Sequence, residues 1–318
     1  MSPRILTRRQ MMGTAAPTLL GAAQQPPGRR PRIAAVASIY HKYAQHICDR
    51  FLIGYGWNGK HHKPEIDLAS LWVHQVKQND VSRSRAKEFP VMKIYPTIAD
   101  PLTLGTGKLA VDGVLLIGEH GDYPDNEKGQ KLYPRYEFFR EIVKVFGTSG
   151  RGVPVFNDKH LSWNWHWARE MYDTSRRIGF PFMAGSSLRV TWRTPSVDMP
   201  YGAPVREALC VFGGWIDGGD ICAFETLHCM SERRKGGESG FAARIDGRNE
   251  PLSTQMYLPM PPAYTTASRL IPWNEHLLTT GLTASGVESL YQREKLILTP
   301  HLEKVSYPAL KESTFWRT

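Results

Sequence analysis

The chain has 318 residues, of which 41% are hydrophobic and 22% are charged, and its formal net charge is +10. This length suits about two domains, and the composition excludes the collagen-like and disordered classes of protein. The four cysteines form no C-x-x-C pair, which argues against a zinc ribbon and against a thioredoxin-type redox site.

The amino terminus has the pattern of an export signal. The first residues carry three Arg and no acidic residue, and a run of small and apolar residues, Met11–Ala23, follows them. This run is too short to cross a bilayer, which needs about 20 apolar residues. The pair Arg8-Arg9 resembles a twin-arginine signal. The sequence therefore predicts a signal peptide over residues 1–23 and a periplasmic or otherwise exported mature protein.

The positive charge does not indicate a nucleic-acid partner. Loss of the signal would lower the net charge by three, and the remaining Lys and Arg residues are scattered along the chain. Residues 24–31, QQPPGRRP, predict a short linker. The sequence predicts no membrane span and leaves a homo-oligomer open.

Strand and helix patterns alternate along the first part of the mature chain. The clearest strands are the apolar runs Arg32–Ser38, Val111–Ile117 and Val153–Phe156, with helical segments between them. Such alternation indicates an α/β domain with a doubly wound parallel sheet, here over residues 32–186.

The pattern changes after residue 186. Arg206–Phe212 and Leu252–Leu258 alternate apolar and polar residues as strands do, and Ile221–Arg234 has a helical pattern. Residues 187–318 are therefore predicted to form a second, α+β domain.

The turn after the first predicted strand is where a dinucleotide-binding fold carries its G-x-G-x-x-G motif. Here the turn contains Ser38, Tyr40, His41 and Tyr43 but no glycine, and the tyrosines hinder the close approach of a pyrophosphate to the backbone. Two interpretations remain open for its basic and aromatic residues: a site for an anionic or polyhydroxyl ligand, or a solvated polar loop.

Ionisable residues follow two further strands at the end where ligands of open α/β sheets bind. Glu119 and His120 follow one strand, and Asp158, Lys159 and His160 follow the next. Histidines can carry protons and a lysine can donate to a substrate oxygen, so Lys159, His120 and His160 are the candidate catalytic residues. Two alternatives stay open. One is a metal site of Glu119, His120, Asp158 and His160; the other is a structural role in which Asp158 caps a helix and His160 packs.

Two residues further along the chain are candidates for substrate binding. Arg193 lies at the crossing between the predicted domains, where a guanidinium could bind a carboxylate or hydroxyls. His228 shares a helix face with Glu225 at i, i+3 spacing, which metal-ligating helices use but which also occurs by chance. Ordinary packing is the alternative for both.

The order of several segments resembles that of one known group of enzymes. The segments R-A-K-E-F, I-Y-P-T-I, L-A-V-D-G-V-L-L-I and P-V-F-N-D-K-H follow one another as in the glucose-fructose oxidoreductase/inositol dehydrogenase (Gfo/Idh/MocA) superfamily. The resemblance covers about residues 32–195. It implies a Rossmann-like domain followed by an α+β domain, here shortened, with NAD(P) as cofactor and a sugar or polyol as substrate. Some members of this superfamily are exported by the twin-arginine route.

The resemblance also implies roles for individual residues. The Glu-Lys-Pro motif of the family falls on Asp158-Lys159-His160, where only Lys159 matches, and this supports Lys159 as a catalytic residue. The implied contacts are Ser38, Tyr40, His41 and Glu119 for NAD(P), and Asp158, Arg193 and His228 for the substrate.

Three functions are compatible with these patterns. The first is an exported NAD(P)-linked oxidoreductase that acts on a sugar or polyol, although the glycine-rich motif is missing. The second is a metal-assisted lyase, epimerase or hydrolase, and the third is a non-catalytic carbohydrate-binding protein on the same scaffold. All three take a small carbohydrate-like molecule as ligand.

Overall fold

The computed structural model describes residues 29–41, 43–57, 59–190, 197, 199–206, 208–212, 216–235, 273–293, 295–302 and 305. The strands are β1 (Arg32–Ala37), β2 (Tyr55–Trp57), β3 (Lys60–His62), β4 (Asp67–Val73), β5 (Lys93–Ile94), β6 (Gly113–Ile117), β7 (Val155–Asp158) and β8 (Phe182–Gly185). The α-helices are α1 (Tyr43–Leu52), α2 (Ser82–Glu88), α3 (Ala99–Thr103), α4 (Arg135–Ser149), α5 (Trp165–Ile178), α6 (Gly218–Ser231) and α7 (Trp273–Tyr291).

The main sheet has the strand order β5-β4-β1-β6-β7-β8, and every neighbouring pair is parallel. Strands β2 and β3 form a separate antiparallel hairpin. Without that hairpin, the order is the 3-2-1-4-5-6 order of a Rossmann-type sheet, so the predicted doubly wound parallel sheet is confirmed. The order reverses between β1 and β6, and ligands of such sheets bind beyond the carboxyl ends of the strands at this place.

Helices cover both faces of the sheet because the residues of β1 alternate between two cores. Ala34 and Val36 belong to a core to which α3, α4 and α5 contribute, whereas Ala35 and Ala37 belong to a core to which α1 contributes. All four residues are fully buried. Burial on both faces explains why such strands are continuous apolar runs in the sequence.

Helix α5 begins and ends at signals in the sequence. The side-chain oxygen of Asn164 accepts hydrogen bonds from the backbone N–H groups of His166 (2.9 Å) and Trp167 (3.2 Å). Gly179 ends the helix at a φ of +83°, a left-handed conformation that favours glycine. The two caps fix the length of α5 and hence where the chain enters β8.

The start of the described chain is attached to the amino end of the sheet. Arg29 Nη2 donates to both carboxylate oxygens of Asp112 (2.8 and 2.9 Å), and Arg30 Nε donates to Asp67 Oδ1 (2.9 Å). The last residues of the predicted linker are therefore part of the folded unit. Residues 1–28, with the predicted signal peptide, lie outside the described residues.

The region after residue 186 contributes helices to the described structure. Helices α6 and α7 contact each other, and Leu277 of α7 packs into the core that α4 and α5 share. Within the described residues, none of the helices combines the length and the apolar character that crossing a membrane requires.

One strand predicted in this region is wrong. Arg206 and residues 208–212 lie in no strand, and Leu209 and Val211 are exposed. The physical reason is that no described segment offers these residues a hydrogen-bonded neighbouring strand. The strand predicted over Leu252–Leu258 lies outside the described residues, so the second, α+β domain stays a prediction.

Candidate active site

The candidate site is built at the carboxyl ends of β6 and β7. β6 ends at Ile117 and β7 at Asp158, and their parallel pairing matches Leu116 with Asn157. Both ends therefore lie at one edge of the sheet. This pairing brings Glu119 and Asp158 to the same edge, as the sequence predicts, and both carboxyl groups are buried.

Lys159 is the centre of the contacts at this edge. It is 5% exposed, and its Nζ lies 3.2 Å from Sγ of Cys222 on α6 and 4.8 Å from the centre of the Tyr43 ring on α1. Burial alone would lower the pKa of Lys159, but the neighbouring Cys222, Glu119 and Asp158 outweigh this effect and raise that pKa well above its ordinary value. Lys159 is therefore a fixed positive charge at neutral pH.

Asp158 differs from Lys159 because it titrates near neutral pH. Burial raises the pKa of Asp158 to about 7, and Glu119 adds to the rise, while Lys159 and Arg135 oppose it. Its Oδ2 has no hydrogen-bond partner within the described part of the chain. A group with this pKa can both give and take a proton at neutral pH, so Asp158 suits the role of proton carrier better than Lys159 does.

His160 faces the start of α6. Its Nε2 lies 3.1 Å from Asp217 Oδ2, and both side chains are almost fully buried. Asp217 is the N-cap of α6 and shares a capping box with Asp220, whose carboxylate accepts from the Asp217 N–H (2.9 Å). Burial would raise the pKa of Asp217, but His160 outweighs this effect and lowers it below the ordinary value. The His160 imidazole is thus held towards α6.

A buried arginine completes the site. Arg135, the first residue of α4, is 1% exposed, and its Nη2 lies 3.7 Å from Glu119 Oε2. Its guanidinium packs over the Tyr133 ring at 5.0 Å, and none of its three nitrogens has a hydrogen-bond partner among the described residues. A Cβ at Gly118 would lie 2.7 Å from Arg135 Cγ, so glycine at this position makes room for the arginine. The site therefore holds two buried cations, Arg135 and Lys159.

Three site residues have left-handed backbone conformations, which are rare for residues other than glycine. The φ angle is +65° at His120, +67° at Lys159 and +75° at Asp217. Each such residue costs of order 1–3 kcal/mol, and strain of this kind is concentrated at catalytic and ligand-binding sites. The backbone conformation at this edge supports a functional interpretation.

Ser38, a predicted cofactor contact, uses all its hydrogen-bonding groups within the protein. Its N–H donates to the Ile117 carbonyl (3.0 Å), its carbonyl accepts from the Gln75 N–H (2.8 Å), and its hydroxyl donates to the Glu119 carbonyl (2.6 Å). Ser38 therefore ties together the ends of β1, β4 and β6.

Of the tyrosines in the turn after β1, Tyr43 and not Tyr40 reaches the site. Tyr40 is fully buried in the core next to α1, with its hydroxyl 3.4 Å from Asp49 Oδ1. The Tyr43 ring stacks on His120, with 4.9 Å between centroids and 16° between planes. His41 is half-buried in the loop between them.

The turn after β1 does not fit the NAD(P) that the resemblance implies. In a dinucleotide-binding fold, the pyrophosphate lies close to the backbone of the turn that follows the first strand. The N–H of Ser38 is engaged, the turn has no glycine, and the Tyr43 ring takes the space beside His120 and Lys159. The predicted cofactor contacts of Ser38, Tyr40 and His41 gain no support from this geometry.

The alternative metal site of Glu119, His120, Asp158 and His160 is not formed. Among the described residues, no three His, Cys, Asp or Glu side chains are arranged so that they could hold a metal ion. The physical reason is that the donors have other neighbours: the two carboxylates have buried cations beside them, one histidine stacks on an aromatic ring and the other faces an aspartate.

The two candidate substrate contacts after β8 have different outcomes. Arg193 lies outside the described residues. His228 is buried on α6, where its Nδ1 lies 3.8 Å from Glu232 Oε2. Glu225, on the same helix, accepts a hydrogen bond from the Ser186 N–H (2.7 Å) and so attaches α6 to the end of β8. Substrate binding by His228 stays a prediction.

Three residues of the site are not among those predicted from the sequence: Arg135, Asp217 and Cys222. Asp217 has a local signal, because an aspartate three residues before an acid at the start of a helix is a capping-box pattern. Arg135 has a weaker one, because a cation in the first turn opposes the helix dipole and such conflicts mark functional positions. For Cys222 we find no signal in the sequence.

No family model matches the sequence, and no curated protein matches it either. Solved structures that are similar to the chain include apo scyllo-inositol dehydrogenase from Lactobacillus casei (11% identity, TM-score 0.34) and GenD2 from gentamicin A biosynthesis in complex with NAD (15%, 0.43). Another is a Gfo/Idh/MocA family oxidoreductase from Vibrio cholerae (18%, 0.34). The structural neighbours are Gfo/Idh/MocA family oxidoreductases.

The similarity to these three structures is partial. It covers 51%, 64% and 51% of this chain, and 38%, 54% and 40% of theirs, so the chain spans about half of their length or less. The likeness concerns the fold alone, and the Rossmann-like assignment rests on the strand order and the parallel pairing described above.

Proposed function

We propose that this chain is an enzyme that carries out acid–base chemistry on a small polyhydroxy, carbohydrate-like molecule at the carboxyl edge of its sheet. Asp158 is the proton carrier, and Lys159 is the fixed positive charge. The reaction class is proton transfer at a carbon or hydroxyl beside a carbonyl, as in isomerases, epimerases and lyases.

The observation that carries this proposal is a pair of adjacent buried groups of opposite charge at the carboxyl edge: Lys159, and Asp158, whose Oδ2 has no hydrogen-bond partner among the described residues. The pKa of Asp158 is raised to about 7, whereas the pKa of Lys159 is raised well above its ordinary range. Titratable neighbours whose pKa values are pushed apart in this way are the usual sign of an assigned acid and base.

Each group has a distinct role in the step. The Lys159 ammonium donates a hydrogen bond to a substrate oxygen, and the Asp158 carboxylate takes the substrate proton. Negative charge then develops on that oxygen, where the ammonium stabilises it. Positioned proton transfer of this kind contributes about 10²–10⁴-fold in rate.

The polyhydroxy class of substrate is supported by the buried groups that lack partners. Within the described residues, the Arg135 donors and the acceptors Glu119 Oε2 and Asp158 Oδ2 have no hydrogen-bond partner. A hydroxyl both donates and accepts, so neighbouring hydroxyls could satisfy both kinds of group at once. Unsatisfied buried groups cost about 1–3 kcal/mol each, which a bound ligand would recover.

A second candidate is an NAD(P)-linked oxidoreductase that acts on a sugar or polyol. It is favoured by the Rossmann strand order and by a lysine directly after β7, and some similar structures are NAD-binding by name. The turn after β1 does not favour it, so we derive no catalytic step through a dinucleotide.

The test uses the full chain in deuterated water with a panel of aldoses and ketoses. We expect loss of a substrate C–H signal in proton NMR without added cofactor, and loss of that exchange in Asp158→Asn. Asp173→Asn, an exposed aspartate on α5, is the matched control and should exchange as the wild type does. Exchange that persists in Asp158→Asn would disprove the role of this residue.

Two other outcomes would favour the alternative functions. Stoichiometric NAD(P) released from natively purified protein would support the second candidate. Sugar binding without exchange would support the non-catalytic alternative.

We also propose that the protein acts outside the cytoplasm, on the basis of the amino-terminal pattern. In the native host, the mature protein should lack residues 1–23. Changing Arg8-Arg9 to Lys-Lys should retain the precursor in the cytoplasm, as fractionation and immunoblotting would detect. Unchanged export would contradict the twin-arginine route.

A further inference from the structure

The place where the strand order reverses is filled by side chains of the protein itself. Tyr43, at the start of α1, lies against Lys159 after β7 and stacks on His120 after β6. Its ring therefore bridges the carboxyl ends of three strands at the point where a sheet of this order binds its ligand.

Two earlier residues in the turn between β1 and α1 also have engaged backbone groups. Ser38 uses its N–H, carbonyl and hydroxyl within the protein, and the Tyr40 carbonyl accepts from the Val81 N–H at 3.3 Å. A phosphate that bound to the Ser38 N–H would have to displace its bond to the Ile117 carbonyl and would leave that buried carbonyl without its donor.

The segment after β6 covers the neighbouring end of β4. Gln75 and Asp122 exchange two hydrogen bonds: Gln75 Nε2 donates to the Asp122 carbonyl (3.0 Å), and the Asp122 N–H donates to Gln75 Oε1 (2.8 Å). His74 Nδ1 lies 2.9 Å from the Tyr123 hydroxyl, and Lys77 forms an ion pair with Asp122. Residues 118–123 are thus held against the residues that follow β4, in the space that the adenosine of a dinucleotide would occupy.

Gly121 shows how closely this segment packs. Its φ is +113°, and a Cβ there would lie 2.7 Å from the Tyr123 ring, 3.0 Å from Gln75 Oε1 and 3.4 Å from Ile39 Cγ2. The close backbone approach that glycine permits is used here between two parts of the same chain, not between the chain and a pyrophosphate.

We infer that this chain carries its own Tyr43 ring and residues 118–123 where a Rossmann-type enzyme carries a dinucleotide, and that it works without one. Tyr43 then forms the wall of the site that a nicotinamide would otherwise form, and its aromatic face holds Lys159. This inference goes beyond the proposed function, which assigns the proton carrier and the fixed positive charge but does not say what occupies the crevice.

Fluorescence titration with NADH and NADPH tests the inference on the full chain, together with mass spectrometry of nucleotides released on denaturation. We expect no released nucleotide and no saturable binding up to millimolar concentrations. Stoichiometric nucleotide, or saturable binding below millimolar, would overturn it. The acid–base proposal is tested separately, because deuterium exchange is measured without nucleotide.

Two further measurements show whether the crevice is filled, independently of any ligand. The Asp122 amide should exchange slowly with deuterated water, and free exchange would mean that residues 118–123 are not fastened. Tyr43→Ala should lower the midpoint of urea denaturation, whereas Tyr43→Phe keeps the ring and should stay close to the wild type. Equal midpoints for the two variants would contradict a ring that fills this space.

Discussion

The carboxyl edge of the sheet has two halves that are built in opposite ways. At the ends of β1 and β4, the polar groups of Ser38 and Gln75 are hydrogen-bonded within the chain. At the ends of β6 and β7, Arg135, Glu119 and Asp158 are buried with atoms that lack partners among the described residues. The first half stabilises the fold, and the second holds charge at a cost in stability. A cost of this kind is typical of a site that does chemistry.

The largest effect should come from removing a charge in the second half. Lys159→Met removes one of the two buried cations whose charge acts on Glu119 and Asp158, and removing one partner from a buried charge cluster of this kind costs about 3–5 kcal/mol. Urea denaturation at neutral pH measures the loss. Lys108→Met, at an exposed lysine, is the control and should cost little. Equal stability of the two variants would show that Lys159 is not part of a buried charge network.

Asp158→Asn should change how stability depends on pH. The folded pKa of about 7 lies above the unfolded value of about 4, so the folded chain keeps a proton that the unfolded chain has lost. Wild-type stability therefore falls as the pH rises from about 4 to about 7, by about 1.4 kcal/mol per unit of pKa difference. The variant lacks this fall, as denaturation at a series of pH values would detect. Parallel curves would rule out the raised pKa.

Asp217→Asn should lower the stability by less, and the pH dependence of this loss should be opposite to that expected for Asp158→Asn. Asparagine still caps α6, but the charge facing His160 is lost, at about 1.5–3 kcal/mol. Because the folded pKa of Asp217 is lowered, its stabilisation is present at neutral pH and is lost as the pH falls through that folded pKa. The difference from the wild type should therefore be seen at pH 7 and should disappear in acid. A difference that persisted in acid would indicate that the cap, not the charge, is responsible.

The smallest effect is expected in the first half. Gln75→Ala removes the two hydrogen bonds to Asp122, each worth about 0.5–1.5 kcal/mol net. The loss is local, so deuterium exchange of the Asp122 amide should accelerate more than the unfolding midpoint shifts. An unchanged exchange rate would show that the contact does not hold the segment.

The sequence predicts the sheet well because its evidence is local. A buried parallel strand is a run of apolar residues, and the polar residues that follow it must lie at the carboxyl edge. The positions of Glu119, Asp158 and Lys159 along the chain are therefore enough to predict that they lie together. The prediction of a strand over Arg206–Phe212 fails because a strand also needs a hydrogen-bonded neighbour, and an alternating pattern of apolar and polar residues does not show whether one is present.

The remaining site residues depend on long-range packing. Arg135 reaches Glu119 only because α4 crosses the end of β6 where Gly118 leaves space for its side chain. From the sequence, Tyr40 and Tyr43 are equally good candidates to face the site from the turn after β1. Only the position at which α1 starts, Tyr43, decides between them. No local pattern contains that information.

The contact between Lys159 and Cys222 has a consequence for how the protein folds. It joins residues 63 positions apart, whereas β7 and β8 need only the α5 segment between them in order to pair. Among the described residues, no strand of the main sheet lies on α6, so local detachment of α6 can rehydrate the charged edge without breaking a strand pairing. Docking of α6 then removes water from Lys159, Asp158 and His160 in one event. The burial of these charges, and the reactivity that depends on it, therefore follows the docking of α6 and not the pairing of the strands.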